Sequence, residues 1–143
     1  MILIAPPIEG CLVNDLDAIN AIVTHPGVYG EAARVPSIEN VLILTVRGVA
    51  VVFGEVRDRV HEVHVAAVPE SRGAVVLQEL RTIRDWWWDT QPSDMLLGPV
   101  RHENAASRYL IAKLGFHRMN VLPMPGNDGI IRDYVTYRMD RPQ

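Results

Sequence analysis

Hydrophobic and polar positions alternate in the middle of the chain and then change period. Over Val60–Val68 apolar residues occupy one face of an extended segment, while Glu62 and His64 share the other. After Pro69 four apolar residues recur at the spacing of one helix face: Val76, Leu80, Ile83 and Trp87. The pattern predicts a strand, a tight turn and a helix. The start of such a helix has unbonded backbone N–H groups and can bind an anion such as a phosphate.

The pattern before this unit predicts a short strand and a helix. Ile2–Ala5 is apolar and is followed by two prolines, which end a strand. Asn14 is expected to be the N-cap of a helix that ends before Pro26. Asp15 and Asp17 place negative charge in its first turn, where the helix dipole favours it.

A loop and a hairpin are predicted next. The His25–Glu39 segment mixes glycine, proline and small residues, which indicates a loop with one short helix near Gly30–Arg34. Val41–Val46 and Val49–Val56 are rich in β-branched residues, and the two residues between them suit a hairpin turn.

The last third of the chain predicts a strand, a helix and two strands. The strand is Met95–Val100, and the helix ends at Gly115 after an apolar stripe that includes Ile111. Phe116–Leu122 and Asp133–Met139 form the final strands. The long helical connection makes Val60–Val68 and Met95–Val100 parallel if they are neighbours. The order predicts an α+β fold with a mixed, mostly antiparallel sheet flanked by helices.

Composition restricts the class of protein. The 143 residues predict a single domain, 1–143, with an ordinary globular composition. A net charge of −3 argues against a nucleic-acid-binding protein. Cys11 is the only cysteine, so no internal disulfide forms, and the N-terminus lacks a signal-peptide or membrane-span pattern. We therefore expect a cytoplasmic protein that does not bind membranes.

Four ionisable residues are candidates for site chemistry. Glu62 and His64 are candidates for a base that removes a proton from a substrate, and the alternative is that they only face solvent. His25 and Tyr29, in the predicted loop, are candidates for substrate contact. His61 and His64 lie three residues apart and would face opposite ways on a strand, so no metal site is predicted.

Three consecutive tryptophans, Trp86, Trp87 and Trp88, lie on the predicted central helix. Three such positions span about 200° of a helix, so they cannot all face the core. We expect Trp87 inside and at least one neighbour partly exposed. The cluster predicts a protein contact or a homo-oligomer surface.

Two local motifs resemble the GNAT superfamily of acetyl-CoA-dependent N-acetyltransferases, and the resemblance covers essentially the whole chain. The first is Val68-Pro69-Glu70-Ser71-Arg72-Gly73, and the second is Asn104 followed by Lys113-Leu114-Gly115-Phe116. The resemblance implies a GNAT fold and acetyl-CoA as co-substrate. It also implies acetyl transfer to a primary amine, on a small molecule or a protein, by direct attack without a covalent enzyme intermediate.

The resemblance assigns roles to particular positions. The backbone at Ala67 and Val68 would hold the pantetheine arm, at a splay between two parallel strands, with Asn104 nearby. His64 or Glu62 would act as the base. The cofactor diphosphate would bind the backbone N–H groups of six consecutive residues: Arg72, Gly73, Ala74, Val75, Val76 and Leu77. The acceptor pocket would be formed by the His25–Glu39 loop and the Pro123–Gly129 connection.

Three positions depart from the family pattern. Val75 and Leu77 replace small residues of the cofactor loop, and Ile111 replaces a tyrosine that protonates the departing thiolate. The small size and these changes also resemble compact GNAT-like proteins of bacteriophages. The alternative function is therefore a catalytically degenerate GNAT fold, for example a virion- or assembly-associated protein that acts through the tryptophan cluster.

Overall fold

A computed structural model of the protein describes residues 5–126 and 128–143. These residues form one seven-stranded sheet with helices on both faces, and single 3₁₀ turns at Glu31–Ala33 and Pro69–Ser71. In chain order the elements are β1 Leu12–Val13, α1 Leu16–Val23, β2 Val41–Val46, β3 Val49–Arg57, β4 Val60–Ala67, α2 Ala74–Thr90, β5 Met95–Arg101, α3 Ala105–Lys113, β6 His117–Pro125 and β7 Ile131–Asp140.

The sheet has the mixed character that the sequence predicts. Its strand order is β1-β2-β3-β4-β5-β7-β6, and every neighbouring pair is antiparallel except β4 and β5. The parallel pairing follows from α2, which carries the chain back to the start of the sheet before β5 begins. The α+β architecture and the parallel β4–β5 pair are therefore confirmed.

The two faces of the sheet carry apolar cores of different size. The larger core lies under α2 and α3, and at its centre the fully buried Trp87 stacks on Phe53 with ring centroids 4.1 Å apart. The smaller core lies under α1 and includes Ile19, Ile22 and Ile43. The helices therefore cover opposite faces of one sheet, α2 and α3 on one and α1 on the other.

The N-terminal region corrects two predictions. Asn14 is not the N-cap of α1: it has a positive φ of 50°, and its side-chain oxygen accepts from the Ile43 N–H group at 2.7 Å. Asp15 is the cap and accepts from the Ala18 N–H group at 2.9 Å. All but Ala5 of the predicted strand Ile2–Ala5 lies outside the described residues, and β1 was not predicted.

The hairpin between β2 and β3 forms as predicted. Its turn residues, Arg47 and Gly48, both have positive φ, 45° and 78°, which matches the twist of antiparallel strands in a two-residue turn. The loop helix is a single 3₁₀ turn, and α1 ends before Pro26 as expected.

The tryptophan cluster is largely internal. Trp87 and Trp88 are buried, and Arg141 lies over the Trp88 ring at 5.4 Å. Trp86 is partly exposed as predicted, and its indole N–H donates to the Ala5 carbonyl at 2.9 Å. Of the three tryptophans only Trp86 is partly exposed, and the protein-contact or homo-oligomer surface predicted at this cluster stays a prediction. Within the described residues no helix is long and apolar enough to span a membrane.

Candidate active site

The start of α2 is exposed and lacks a side-chain cap. Gly73 is the N-cap residue with φ of 128°, no side chain bonds the first N–H groups, and the first turn has no acidic residue. A Cβ at Gly73 would meet no atom within 4 Å, so the approach to this helix end is open. The positive end of a 17-residue helix is therefore available to an anion.

The β2–β3 turn holds this helix start in place. The Ser71 hydroxyl donates to the Arg47 carbonyl at 2.7 Å, and the Val68 N–H group donates to the Gly48 carbonyl at 3.0 Å. A Cβ at Gly48 would collide with Ser71 and Val68, so the close packing needs glycine. The Arg47 guanidinium also bonds Glu79, a buried carboxylate on α2, at 2.9 Å.

Arg72 connects the end of β4 with the loop that follows α1. Its Nε donates to the Ala67 carbonyl at 3.0 Å, and its Nη2 donates to the Gly27 carbonyl at 2.9 Å. His25 stabilises the same loop, since its Nδ1 accepts from the Gly27 N–H group at 2.9 Å. His25, predicted for substrate contact, therefore bonds the protein backbone. The backbone N–H group of Arg72, predicted for the diphosphate, donates to the Pro69 carbonyl at 3.3 Å.

The parallel strands separate shortly after they pair. Their register joins Val60–Glu62 to Met95–Leu97 only, and the rest of β4 has no partner on β5 within the described residues. Ile111 on α3 lies over Gly98, beside Val63, where the gap begins. The predicted splay is therefore present, and an apolar side chain occupies the place of the family's tyrosine.

Glu62 and His64 form a pair on the α1 face of β4. His64 Nε2 lies 2.6 Å from Glu62 Oε1, and the imidazole is 51% exposed. The hydrogen bond from His64 is the main reason that the pKa of Glu62 is lowered, so the carboxyl group is ionised at neutral pH. An ionised oxygen can only accept, so Nε2 of a neutral His64 carries the proton and Nδ1 has the free lone pair.

A cavity of about 270 Å³ opens beside this pair. Apolar residues of α1, β3 and β4 form most of its wall, and the loop after α1 contributes Tyr29. The lining residues are Ile19, Val23, Tyr29, Ala50, Val52, His64, Val65 and Ala66. The structure thus brings together His64 and Tyr29, whereas His25 is not part of the wall.

Tyr29 extends this site toward the end of β5. Its pKa is raised, chiefly because the protein shields its hydroxyl from solvent, and the positive charges of Arg101 and Arg72 partly oppose the shift. The neighbouring Tyr134 raises it further. Arg101 and Tyr134 face each other on β5 and β7. The sequence analysis missed both, because no local motif shows which strands become neighbours.

The structure also shows where the remaining residues discussed for the cofactor site lie. Val75 is 70% exposed and Leu77 packs against the larger core, so neither side chain covers the Gly73 approach. Asn104 caps α3, where its side-chain oxygen accepts from the Ser107 N–H group at 3.0 Å. Tyr109 points to solvent beside Lys113 and does not replace the missing tyrosine.

No protein-family model and no curated protein matches the sequence. A candidate acetyltransferase from Acinetobacter baylyi superposes with a TM-score of 0.69 at 16% identity, over 93% of this chain and 96% of that one. A candidate acetyltransferase from Salmonella typhimurium, solved with its cofactor acetyl-CoA, gives 0.64 at 18% identity, over 94% and 96%. A GNAT-family acetyltransferase from Bacillus anthracis gives 0.59 at 13% identity, over 71% and 66%. The chain has the fold of the GNAT acetyltransferases.

Proposed function

We propose that the protein is an acetyl-CoA-dependent N-acetyltransferase that acts on a small primary amine. The observation that carries the proposal is the coincidence of three features at one end of the sheet. These are the gap between β4 and β5, the uncapped start of α2, and the Glu62–His64 pair beside an apolar cavity. The solved acetyl-CoA complex of the Salmonella typhimurium protein, which has the same fold, supports this choice of co-substrate.

The chain's own residues fit a nucleotide diphosphate at α2. The N–H groups of Ala74 and Val75 lie in the first helical turn, and Gly73 leaves open space in front of them. The backbone of Ala67 and Val68 borders the gap and would hold the pantetheine arm, with Asn104 at the start of α3. Arg72 would keep this edge rigid through its two carbonyl contacts.

The base in this proposal is His64. When bound, acetyl-CoA supplies the acetyl group as a thioester, whose carbonyl carbon reacts only with an unprotonated amine. His64 Nδ1 accepts the amine proton, while Glu62 holds the ring through Nε2 and stabilises the imidazolium that forms. The exposed ring then returns the proton to water. The amine attacks the thioester directly, so no covalent intermediate on the protein is needed.

The thiolate of coenzyme A can leave although position 111 is an isoleucine and not a tyrosine. A thiol has a pKa of about 8.5, so its thiolate is a weak base near neutral pH and can leave without a proton from the protein. An apolar Ile111 over Gly98 is therefore compatible with turnover.

The rival is a GNAT fold without catalysis, as in a virion- or assembly-associated phage protein. Ile111 favours the non-catalytic rival, because it replaces the tyrosine that usually protonates the departing thiolate in the family. Burial of Trp87 and Trp88 weighs against it, because they cannot form its contact surface. We therefore favour the enzyme, with the cytoplasm as its expected location.

The test is amine-dependent release of coenzyme A from acetyl-CoA, measured with a thiol reagent and confirmed by the mass of the acetylated amine. A mixture of small primary amines serves as acceptor, and His64→Gln serves as the impaired variant. Release that requires both amine and His64 supports the proposal. Tight acetyl-CoA binding without transfer to any amine would favour the non-catalytic rival.

A further inference from the structure

The class of acceptor can be inferred from the charges around the cavity, and this inference rests on the proposed function. The parallel register pairs Glu62 with Leu97, so Leu97, Pro99 and Arg101 share the sheet face of Glu62 and His64. Arg101 lies four residues beyond Leu97, past the point where β4 and β5 separate. Tyr29 links the two residues, because it lines the cavity together with His64 and lies close enough to Arg101 to feel its charge.

Arg101, at the end of β5, and the neighbouring Arg132 differ in their acidic partners. Among the described residues no acidic side chain forms an ion pair with Arg101, whereas the adjacent Arg132 bonds Asp128 at 2.7 Å. Both guanidinium groups converge on Gly126: a Cβ there would lie 3.3 Å from Arg101 Nη2 and 3.0 Å from Arg132 Nη1. The same Cβ would lie 3.2 Å from Asp128 Oδ1, the partner of Arg132. The end of β5 therefore carries one guanidinium, that of Arg101, with no ion-pair partner of its own among the described residues.

Hydroxyl groups accompany this charge. Tyr134 is the register partner of Arg101 on β7, and Tyr29 approaches from the loop after α1. The Tyr29 hydroxyl is protonated at neutral pH, as an ordinary tyrosine is, and can therefore donate. A planar guanidinium with phenol donors matches the geometry of a carboxylate or a related oxyanion.

We propose that the acceptor carries a carboxylate or a similar oxyanion beside its amine, and that Arg101 and the Tyr29 hydroxyl bind that group. The apolar wall formed by Ile19, Val23 and Val52 then takes an aliphatic or aromatic side chain. The amine is left facing His64. Amino acids satisfy all three requirements, whereas polyamines would be repelled by Arg101 and Arg72.

The experiment compares matched acceptor pairs. Leucine is paired with isopentylamine, and phenylalanine with phenethylamine, so that each pair differs only by the carboxylate; spermidine is the polycation. We expect kcat/KM to be at least about tenfold higher for the acids in the wild-type protein. Arg101→Ala should abolish this preference, and Arg101→Lys should restore part of it. Arg118→Ala, which removes an exposed charge on β6, is the control and should keep it.

A second measurement does not depend on turnover. Calorimetric titration with N-acetylleucine should show binding to the wild-type protein that weakens about tenfold or more in Arg101→Ala. Such binding without transfer to any acceptor would support the anion site and contradict the proposed function. The inference would be overturned, and the proposed function kept, by either of two results. The protein could use the amino acids and the plain amines equally well, or Arg101→Ala could bind N-acetylleucine as tightly as the wild-type protein does. Neither transfer nor binding would overturn both.

Discussion

His61 and His64 lie three residues apart on the same strand and have opposite environments. His61 is 2% exposed, faces the larger core, and shares a 2.8 Å hydrogen bond with Ser93. Its ring also meets the edge of Trp87. His64 faces the cavity and solvent, with Glu62 as its partner. The comparison shows that β4 places one imidazole in the larger core and the other beside an open cavity, where we propose that it acts as the base.

Replacement of the exposed His64 should give the largest effect, and this effect should be confined to activity. His64→Gln removes the base and should lower kcat/KM about 100-fold or more, with no change in the free energy of unfolding. Glu62→Gln keeps an acceptor oxygen but loses the charge, so it should cost about tenfold. Steady-state kinetics with denaturant unfolding on the same samples checks this, and a large loss of stability in His64→Gln would contradict it.

Changes on the opposite face should act on stability alone. Trp87→Ala leaves a cavity under Phe53 and should lower the free energy of unfolding by about 3–5 kcal/mol. Trp87→Phe should cost less, because the indole N–H is buried and finds no hydrogen-bond partner among the described residues. Urea unfolding measures both. Equal losses in the two variants would show that the stacked ring does not stabilise this core.

A smaller effect should appear in the pH dependence of the free energy of unfolding, and it comes from the buried His61. Burial lowers the pKa of His61, although the nearby Glu55 opposes the shift. The unfolded chain therefore binds this proton more readily, and stability should fall as pH decreases through about 6.5, the ordinary histidine pKa.

The pH effect is measured as a difference between variants. Between pH 7.5 and 5.5 the wild-type protein should lose up to about 1 kcal/mol more stability than His61→Gln. An identical pH dependence in wild type and His61→Gln would show that burial does not disfavour the charged imidazole.

The sequence predicts the elements that are determined by residues close together in the chain. The change of period after Pro69 predicts α2, and the spacing of Glu62 and His64 predicts their shared face. Asn14 and Asp15 are both suitable caps, and the outcome depends on Ile43, a residue 29 positions away that bonds Asn14. Sequence spacing alone cannot show such a contact.

The tertiary parts of the site could not be predicted. Arg101 lies opposite Tyr134 because β5 pairs with β7, and its charge acts on Tyr29 from the loop after α1. The covering of Trp88 by Arg141 likewise joins residues that are 53 positions apart in the sequence. Long-range contacts of this kind decide which of many surface arginines and tryptophans have a function.

The central claim is that the start of α2 binds the diphosphate of acetyl-CoA, and calorimetric titration tests it most directly. The wild-type protein should bind acetyl-CoA, and Gly73→Val, which places a side chain in the open approach, should bind at least about tenfold more weakly. Gly10→Val is the matched control, since Gly10 also has positive φ and open surroundings, and it should bind as wild type does. Absence of wild-type binding at about 1 mM acetyl-CoA, or equal binding by Gly73→Val, would contradict the account.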